Sequence, residues 1–114
     1  MRVIGYIPDL LFGSSVVTAL KAAGHDPVLV GDAAALSREL PGAQVLVVDL
    51  TSDYRERIEA VRDRRPDGLP VLGFYSHVEQ EVKGEAQDAG FDLVVPRSRM
   101  AREGVALVER LSAA

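Results

Sequence analysis

The stretch Gln44-Val45-Leu46-Val47-Val48-Asp49-Leu50 decides the fold class of this chain. Four aliphatic residues in a row end on an aspartate, with no alternation of polar and apolar side chains. An unbroken apolar run of this length is typical of a strand that is covered on both faces in a parallel sheet. Residues 44–50 are therefore predicted to form a central strand with Asp49 at its carboxyl end.

Similar short apolar runs occur on both sides of this strand, and longer stretches with helical spacing separate them. Gly24 and Gly90 follow the ends of two helical stretches, where a residue with positive φ is favoured, and Pro66 ends a third. The other predicted strands are Val3–Ile7, Pro27–Val30, Pro70–Tyr75 and Asp92–Val95. The predicted helices are Ser14–Ala23, Ala33–Leu40, Asp53–Arg65, Glu79–Ala89 and Arg99–Leu111.

The alternation of strands and helices predicts a three-layer α/β/α fold around a five-stranded parallel sheet. Right-handed crossovers leave few arrangements for such a sheet, and the strand order 2-1-3-4-5 is the most common small one. The 114 residues allow one domain, covering 1–114 with no further output domain, and are about half of what a TIM barrel needs. Function is then expected beyond the carboxyl ends of the strands, near the switch point between the first and third.

The composition excludes several classes of protein. The net charge of −4 does not indicate the basic surface that nucleic-acid binding requires. The absence of cysteine rules out thiolate zinc sites, Fe–S clusters and disulfide scaffolds. No apolar run approaches the ~20 residues of a membrane span, and Pro8 and Asp9 interrupt the first run too early for a secretory signal. We therefore expect a cytoplasmic protein whose partners are neither nucleic acid nor membrane.

Common nucleotide and hydrolase motifs are missing as well. The sequence contains no G-x-G-x-x-G after its first strand, no G-x-x-x-x-G-K-[ST] and no G-x-S-x-G. These absences argue against Rossmann-type dinucleotide binding, P-loop NTPases and α/β-hydrolases.

Two aspartates are the main candidates for chemistry. Asp49 ends the third strand, where a carboxylate could act as a nucleophile or bind a metal, or could cap the loop that follows. Asp9 follows the first strand and should face Asp49 across the switch point. Together the two carboxylates could hold Mg²⁺, although Pro8-Asp9 is also ordinary turn chemistry.

Three further residues follow strands at the same edge of the sheet. Arg97 could bind an anion in a bidentate manner, or could pair with Asp9 or Asp49. Ser76 and His77 follow the fourth strand, and His77 could act as an acid, a base or a ligand, or could make a structural hydrogen bond. His25, in a turn at the opposite edge, is predicted to be structural.

The chain resembles the receiver domain of bacterial response regulators, with the CheY-like version of the flavodoxin-like fold. The resemblance rests on the βα alternation, on Asp49, and on the stretch Glu85-Ala86-Gln87-Asp88-Ala89-Gly90-Phe91-Asp92. It implies that Asp49 is a phosphoacceptor for a histidine kinase and that an acidic pair after the first strand binds Mg²⁺. It further implies a hydroxyl group after the fourth strand and a lysine after the fifth, both of which contact the phosphoryl group.

The sequence departs from this pattern at most of those positions. The acidic pair reduces to Asp9, the hydroxyl position falls on Tyr75 with Ser76 one residue later, and Arg97 stands at the lysine position. The aromatic switch residue of the fifth strand is replaced by Val94. Because phosphoryl transfer depends on positioning and charge neutralisation, these changes predict weakened chemistry on a retained scaffold.

The leading hypothesis is therefore a stand-alone, atypical receiver (a pseudo-receiver) that is not an enzyme and signals by contact with a partner protein or a histidine kinase. The resemblance implies a contact face built by the fourth helix, fifth strand and fifth helix, where receivers usually meet partners or dimerise, and a weak homodimer is left open. Its charged rim comprises Arg97, Arg99, Arg102, Glu79, Glu81 and Lys83. The alternatives are a conventional Mg²⁺-dependent phosphoacceptor, a domain that binds a nucleotide or a cobalamin-like group, and a hydrolase using Asp9, Asp49 and His77.

Overall fold

The computed structural model describes residues 1–76 and 80–113 of the chain. In chain order the elements are β1 (Arg2–Tyr6), α1 (Leu10–Ala22), β2 (Asp26–Val30), α2 (Ala33–Glu39), β3 (Val45–Asp49), α3 (Tyr54–Arg64), β4 (Val71–Tyr75), α4 (Gln80–Asp88), β5 (Leu93–Pro96) and α5 (Arg97–Ala113). Within these ranges, no helix is long and apolar enough to cross a membrane.

The five strands form one parallel sheet in the order β2-β1-β3-β4-β5. The predicted fold class and strand order are confirmed. β3 lies in the middle of the sheet, where Leu46 is in register with Ile4 of β1 and Val71 of β4. The switch point between β1 and β3 therefore lies directly beside the end of β3, which carries Asp49.

Each face of the sheet is covered by its own apolar core. The core under α2, α3 and α4 includes Leu36, Leu46, Val48 and Val82, and the core under α1 and α5 is built from other residues. Those residues are Val3, Ile7, Val16, Leu20, Val45, Val47, Leu72, Phe74, Val95, Met100, Leu107 and Val108. Because side chains alternate along a strand, Asp49 follows Val45 and Val47 to the α1/α5 side.

The start of α1 differs from the prediction. The helix begins at Leu10, four residues before the predicted start, because Asp9 is its N-cap. One carboxylate oxygen of Asp9, Oδ1, accepts the backbone N–H groups of Leu11 and Phe12 at 3.0 and 3.2 Å. An aspartate at this position satisfies N–H groups that have no partner inside the helix.

Two other helix starts also differ from the prediction. α5 begins at Arg97, two residues before its predicted start, and α3 begins at Tyr54, one residue after its predicted start, with Asp53 at the N-cap position. Asp53 adopts the left-handed conformation, with φ +47°, and its side chain makes no capping hydrogen bond. By contrast Gly24 and Gly90 have the predicted positive φ, 88° and 91°.

Candidate functional site

Asp49 is a buried carboxylate held by its own loop. Its side chain, at the end of β3, is 2% exposed. Oδ1 accepts hydrogen bonds from the backbone N–H of Thr51 at 2.8 Å and from the Thr51 hydroxyl at 2.5 Å. Burial of a charged oxygen without such partners would be costly, so Thr51 stabilises the aspartate in place. An aspartate followed two residues later by a threonine is a sequence signal for this type of turn.

Asp9 and Arg97 meet at the same edge of the sheet. While Oδ1 of Asp9 caps α1, Oδ2 lies 3.6 Å from Nη2 of Arg97. The guanidinium carbon of Arg97 lies 4.5 Å from the centre of the Phe12 ring, within the range of a cation–π interaction. Asp9 therefore has two local partners, a helix terminus and an arginine that follows β5.

An open cleft lies beside this pair. Ser76 follows β4 on the same side of the sheet as Phe74, so its side chain shares the α1/α5 side with Asp49. Tyr75 is 3% exposed and belongs to the core under α2, α3 and α4. The structure thus brings Ser76, rather than Tyr75, to the cleft. The residues that line the cleft are Phe12, Thr51, Ser76, Arg97, Ser98 and Ala101.

Arg57, on α3, is buried and binds the loop after β3 on the side opposite the Asp49 carboxylate. The sequence gives no indication of this role. Nη1 of Arg57 donates to the carbonyl oxygen of Asp49 at 3.1 Å, to the carbonyl oxygen of Ser52 and to the Ser52 hydroxyl at 3.4 Å. Its side chain is 9% exposed, and Nη2 lies 4.0 Å from a carboxylate oxygen of Asp53. An arginine in a highly charged helix gives no sequence signal of burial.

Tyr6, at the end of β1, lies on the Arg57 side of the sheet. Burial raises the pKa of the Tyr6 hydroxyl above its ordinary value of 10.0, and the positive charge of Arg57 opposes this effect. A narrow polar pocket beside these two side chains connects the ends of β1 and β2 with the start of α3. It is lined by Tyr6, Pro8, Gly31, Asp32, Ala33, Asp53, Glu56 and Arg57.

Both carboxylates at this edge have partners within the chain that a magnesium ion would have to displace or share. Mg²⁺ requires nearly octahedral oxygen ligands, usually one or two carboxylates with waters or phosphate oxygens. Here Asp9 is engaged by α1 and Arg97, and Oδ1 of Asp49 is engaged by Thr51. In residues 1–76 and 80–113, no group of three or more His, Cys, Asp or Glu side chains is arranged to hold a metal ion.

The two histidines are at different places in the chain. His77 lies outside the described residues. His25 is at the opposite edge of the sheet, as predicted, where Nδ1 is 3.3 Å from the N-terminal amino group and Nε2 is 2.8 Å from a carboxylate oxygen of Glu109. These contacts join the α1–β2 turn to α5, which is a structural role.

Comparison with known proteins shows which proteins share this fold. No protein-family model and no curated protein sequence matches the chain. Solved receiver structures superpose closely on it. The chain has the fold of response-regulator receiver domains.

The receiver domain of the Francisella response regulator 1452 has a TM-score of 0.82 and 19% identity, with 98% of this chain and 96% of that one covered. The signal receiver domain of the putative response regulator NarL from Mycobacterium tuberculosis has a TM-score of 0.75 and 21% identity, with 99% and 96% covered. NtrX from Brucella abortus, solved in complex with ADP, has a TM-score of 0.83 and 17% identity, and 98% of this chain matches 26% of its length. The receiver fold is therefore shared at identities that carry no information on chemistry.

Proposed function

We propose that this chain is an atypical receiver, a cytoplasmic signalling domain over residues 1–114 that is not an enzyme. It acts by contact with a partner protein, either another signalling protein or a histidine kinase. Regulated phosphorylation of Asp49 is not its main activity. The fold supports the assignment as a receiver scaffold. The hydrogen bonds and ion pair of Asp49 and Asp9 support the minor role of phosphorylation.

The observation that carries the proposal is that the chain itself engages both aspartates. A phosphoacceptor needs a free carboxylate oxygen as nucleophile and a cation to neutralise the charge that develops. Thr51 donates two hydrogen bonds to Oδ1 of Asp49, so a cation could bind this oxygen only by displacing Thr51. The Arg97 guanidinium lies 3.6 Å from Oδ2 of Asp9, so a positive side chain already stands beside the carboxylate that a metal ion would use.

The surface next to this edge favours a contact function. Leu10 and Leu11, in the first turn of α1, are 74% and 87% exposed. Residues 10–20 contain no charged side chain, whereas the exposed start of α5 has Arg99 and Arg102 around Glu103. An apolar pair beside a charged rim is the usual composition of a protein interface. The interface we propose therefore includes the start of α1 in addition to the rim of α5.

A phosphorylation experiment tests the chemical part of the proposal. The full chain is incubated with MgCl₂ and acetyl phosphate and its intact mass is measured, and a second sample is titrated with beryllofluoride and followed by amide NMR. We expect no stoichiometric phosphoryl adduct and no spectral change that requires Asp49. An adduct that disappears in Asp49→Asn, with shifts that spread into α4, β5 and α5, would establish the conventional Mg²⁺-dependent receiver instead.

A binding experiment tests the contact part. Titration calorimetry with a purified histidine kinase or other signalling partner should give the same affinity for the wild type and Asp49→Asn. Leu10→Ser and Leu11→Ser should weaken binding, since each removes apolar area from the interface, while Ala34→Ser, an exposed position on α2, serves as the matched control. Loss of binding in Asp49→Asn would contradict a contact function that is independent of phosphorylation.

The cleft is the observation that favours a second function, binding of a small anionic ligand. It contains the Arg97 guanidinium and the hydroxyl groups of Thr51, Ser76 and Ser98, which are suitable partners for a phosphate group. A thermal-shift screen with nucleotides, sugar phosphates and cobalamin separates the two functions. A shift in the unfolding temperature that Arg97→Met abolishes would favour ligand binding, and no shift across the set would exclude it.

A further inference from the structure

The guanidinium group of Arg57 has unusual partners for a buried charge. Its Nη1 atom is within hydrogen-bond distance of two backbone carbonyl oxygens and one hydroxyl oxygen, all from the loop that joins β3 to α3. The nearest carboxylate oxygen in the described part of the chain, on Asp53, is 4.0 Å from Nη2. A cation surrounded by carbonyl oxygens of one loop resembles the environment that protein loops provide for hard metal ions.

The carbonyl oxygens that Arg57 binds lie on either side of Thr51 in the sequence. They belong to Asp49 and Ser52, so one guanidinium group joins both ends of a four-residue segment. Thr51, between them, donates its N–H and hydroxyl groups to Oδ1 of Asp49. The position of the Asp49 carboxylate therefore depends on a loop whose two ends are joined by hydrogen bonds from Arg57.

The same loop contains a residue in a sparsely populated conformation. Asp53 has φ +47° and ψ +38°, which a side chain with Cβ adopts only when its surroundings stabilise it. Nη2 of Arg57 faces the Asp53 carboxylate at 4.0 Å. The backbone N–H of Arg57 also donates to the carbonyl oxygen of Asp53 at 3.2 Å, which is the helical hydrogen bond that any residue at this position would make. The Arg57 guanidinium therefore lies against both the left-handed residue and the two carbonyl oxygens of this loop.

We propose that Arg57 is the positioning residue for Asp49 and that its guanidinium orders this loop in the place of a divalent cation. Both carboxylates at this edge already have partners within the chain, and the positive charge that contacts the loop carbonyl oxygens is the Arg57 guanidinium. This inference does not depend on the partner-binding function, because it concerns how the loop is held and not what it contacts.

Amide NMR of the full chain tests the proposal. In the wild type, the Thr51 amide proton donates to a carboxylate and should resonate far downfield and exchange slowly with solvent. Addition of MgCl₂ should leave the amide signals of residues 50–53 unchanged. In Arg57→Met, the Thr51 signal should lose its downfield shift, its hydrogen exchange should accelerate at least tenfold, and residues 50–53 should become sensitive to MgCl₂.

Two variants separate positioning from general destabilisation. Arg57→Lys keeps the positive charge but has a single ammonium group, so it should recover the Thr51 shift only in part. Arg62→Met removes the same charge from an exposed position on α3 and should leave the Thr51 signal as in the wild type. If Arg57→Met does not fold, the comparison of Arg57→Lys with the wild type, made where their strand amides coincide, still decides the question.

Three outcomes would overturn the proposal. The first is an Arg57→Met protein with a wild-type Thr51 signal, and the second is an Arg57→Lys protein with full wild-type shifts and exchange. The third is a wild-type loop whose signals move on addition of MgCl₂, since the cation would then share in ordering the loop. None of these outcomes bears on binding of a partner, so the two proposals fail or succeed separately.

Discussion

At the scale of single residues, the site is organised by side chains that serve the local backbone. Asp9 caps a helix, Asp49 accepts two hydrogen bonds from a residue two positions later, and Arg57 binds carbonyl oxygens. Asp49 and Arg57 are buried and would be costly to bury without these partners, whereas Asp9 is exposed. At this edge of the sheet, the described hydrogen bonds of the three side chains hold a helix terminus and a loop in place.

The capping role of Asp9 leads to a prediction that distinguishes its two oxygens. Asp9→Ala should lower the free energy of unfolding by about 1 kcal/mol, because two N–H groups of α1 lose their acceptor. Asp9→Asn keeps an acceptor for the cap and loses only an exposed ion pair with Arg97, so its effect should be within about 0.5 kcal/mol. Urea unfolding measures both, and equal losses in the two variants would show that the ion pair matters more than the cap.

Tyr6 gives a prediction for alkaline pH. Burial raises its pKa in the folded state above the ordinary value of 10.0, so the unfolded chain loses this proton first as pH increases. The resulting stabilisation is complete below pH 10 and is lost as pH rises through the folded-state pKa. In Tyr6→Phe, stability should therefore fall less steeply above pH 10 than in the wild type. Urea titrations at several pH values test this, and parallel pH profiles would contradict the assignment.

At the scale of secondary-structure elements, one arginine joins three parts of the fold. Arg65, directly after α3, donates from Nε and Nη2 to the carbonyl oxygen of Leu69 at 2.9 and 2.7 Å. Its Nη1 donates to the carbonyl oxygen of Gly90 at 2.8 Å, and its Nη2 also contacts a carboxylate oxygen of Asp92 at 2.7 Å. The same Asp92 oxygen accepts the backbone N–H of Val71, the first residue of β4.

Loss of this connection should destabilise the protein more than loss of an ordinary surface charge. Arg65→Met should lower the free energy of unfolding by about 2–3 kcal/mol, since charged hydrogen bonds are lost at a site that is only partly open to water. Arg38→Met, at an exposed position on α2, is the control and should change the free energy of unfolding by less than about 0.5 kcal/mol. Chemical denaturation of the two variants measures the difference. Equal losses of unfolding free energy in both would show that the hydrogen bonds of Arg65 contribute no more than an ordinary surface charge.

The elements themselves could largely be predicted from the sequence, because apolar runs and glycine positions are local signals. The start of α1 could not: Gly13-Ser14-Ser15 has the composition of a turn, whereas Gly13 packs in the helix against Leu29, where a Cβ would lie 2.9 Å from its methyl groups. A glycine is therefore required at position 13 by the packing of α1 against β2. Such contacts between distant segments leave no trace in the local pattern.

The site could be predicted only in part for the same reason. Asp49 and Asp9 were found because position along a strand is a local property. The position of Ser76 at the cleft, which Tyr75 does not reach, could have been predicted from the alternation of side chains along β4. Phe74 and Ser76 lie two residues apart and therefore face the same side of the sheet. Arg57 is different: its burial depends on how α3 packs over the loop after β3, and α3 carries charge on most of its surface.

At the scale of the whole molecule, the sheet separates two cores that share only their strands. All three tyrosines lie on one side: Tyr6 and Tyr75 belong to the core under α2, α3 and α4, and Tyr54 packs against it. The chain has no tryptophan, so its fluorescence reports on this core alone. Circular dichroism, in contrast, reports on the helices of both sides.

This asymmetry allows a test of whether the two cores unfold together. Val47 and Val48 are adjacent in β3, both fully buried, and face the α1/α5 core and the tyrosine-containing core respectively. Val47→Ala and Val48→Ala should each lower the free energy of unfolding by roughly 2–3 kcal/mol, from lost methyl burial and the cavity left behind. Because β3 forms hydrogen bonds on both of its edges, we expect one cooperative transition. Val47→Ala should then shift the tyrosine fluorescence midpoint as far as the circular dichroism midpoint, whereas independent cores would leave the fluorescence midpoint of this variant unchanged.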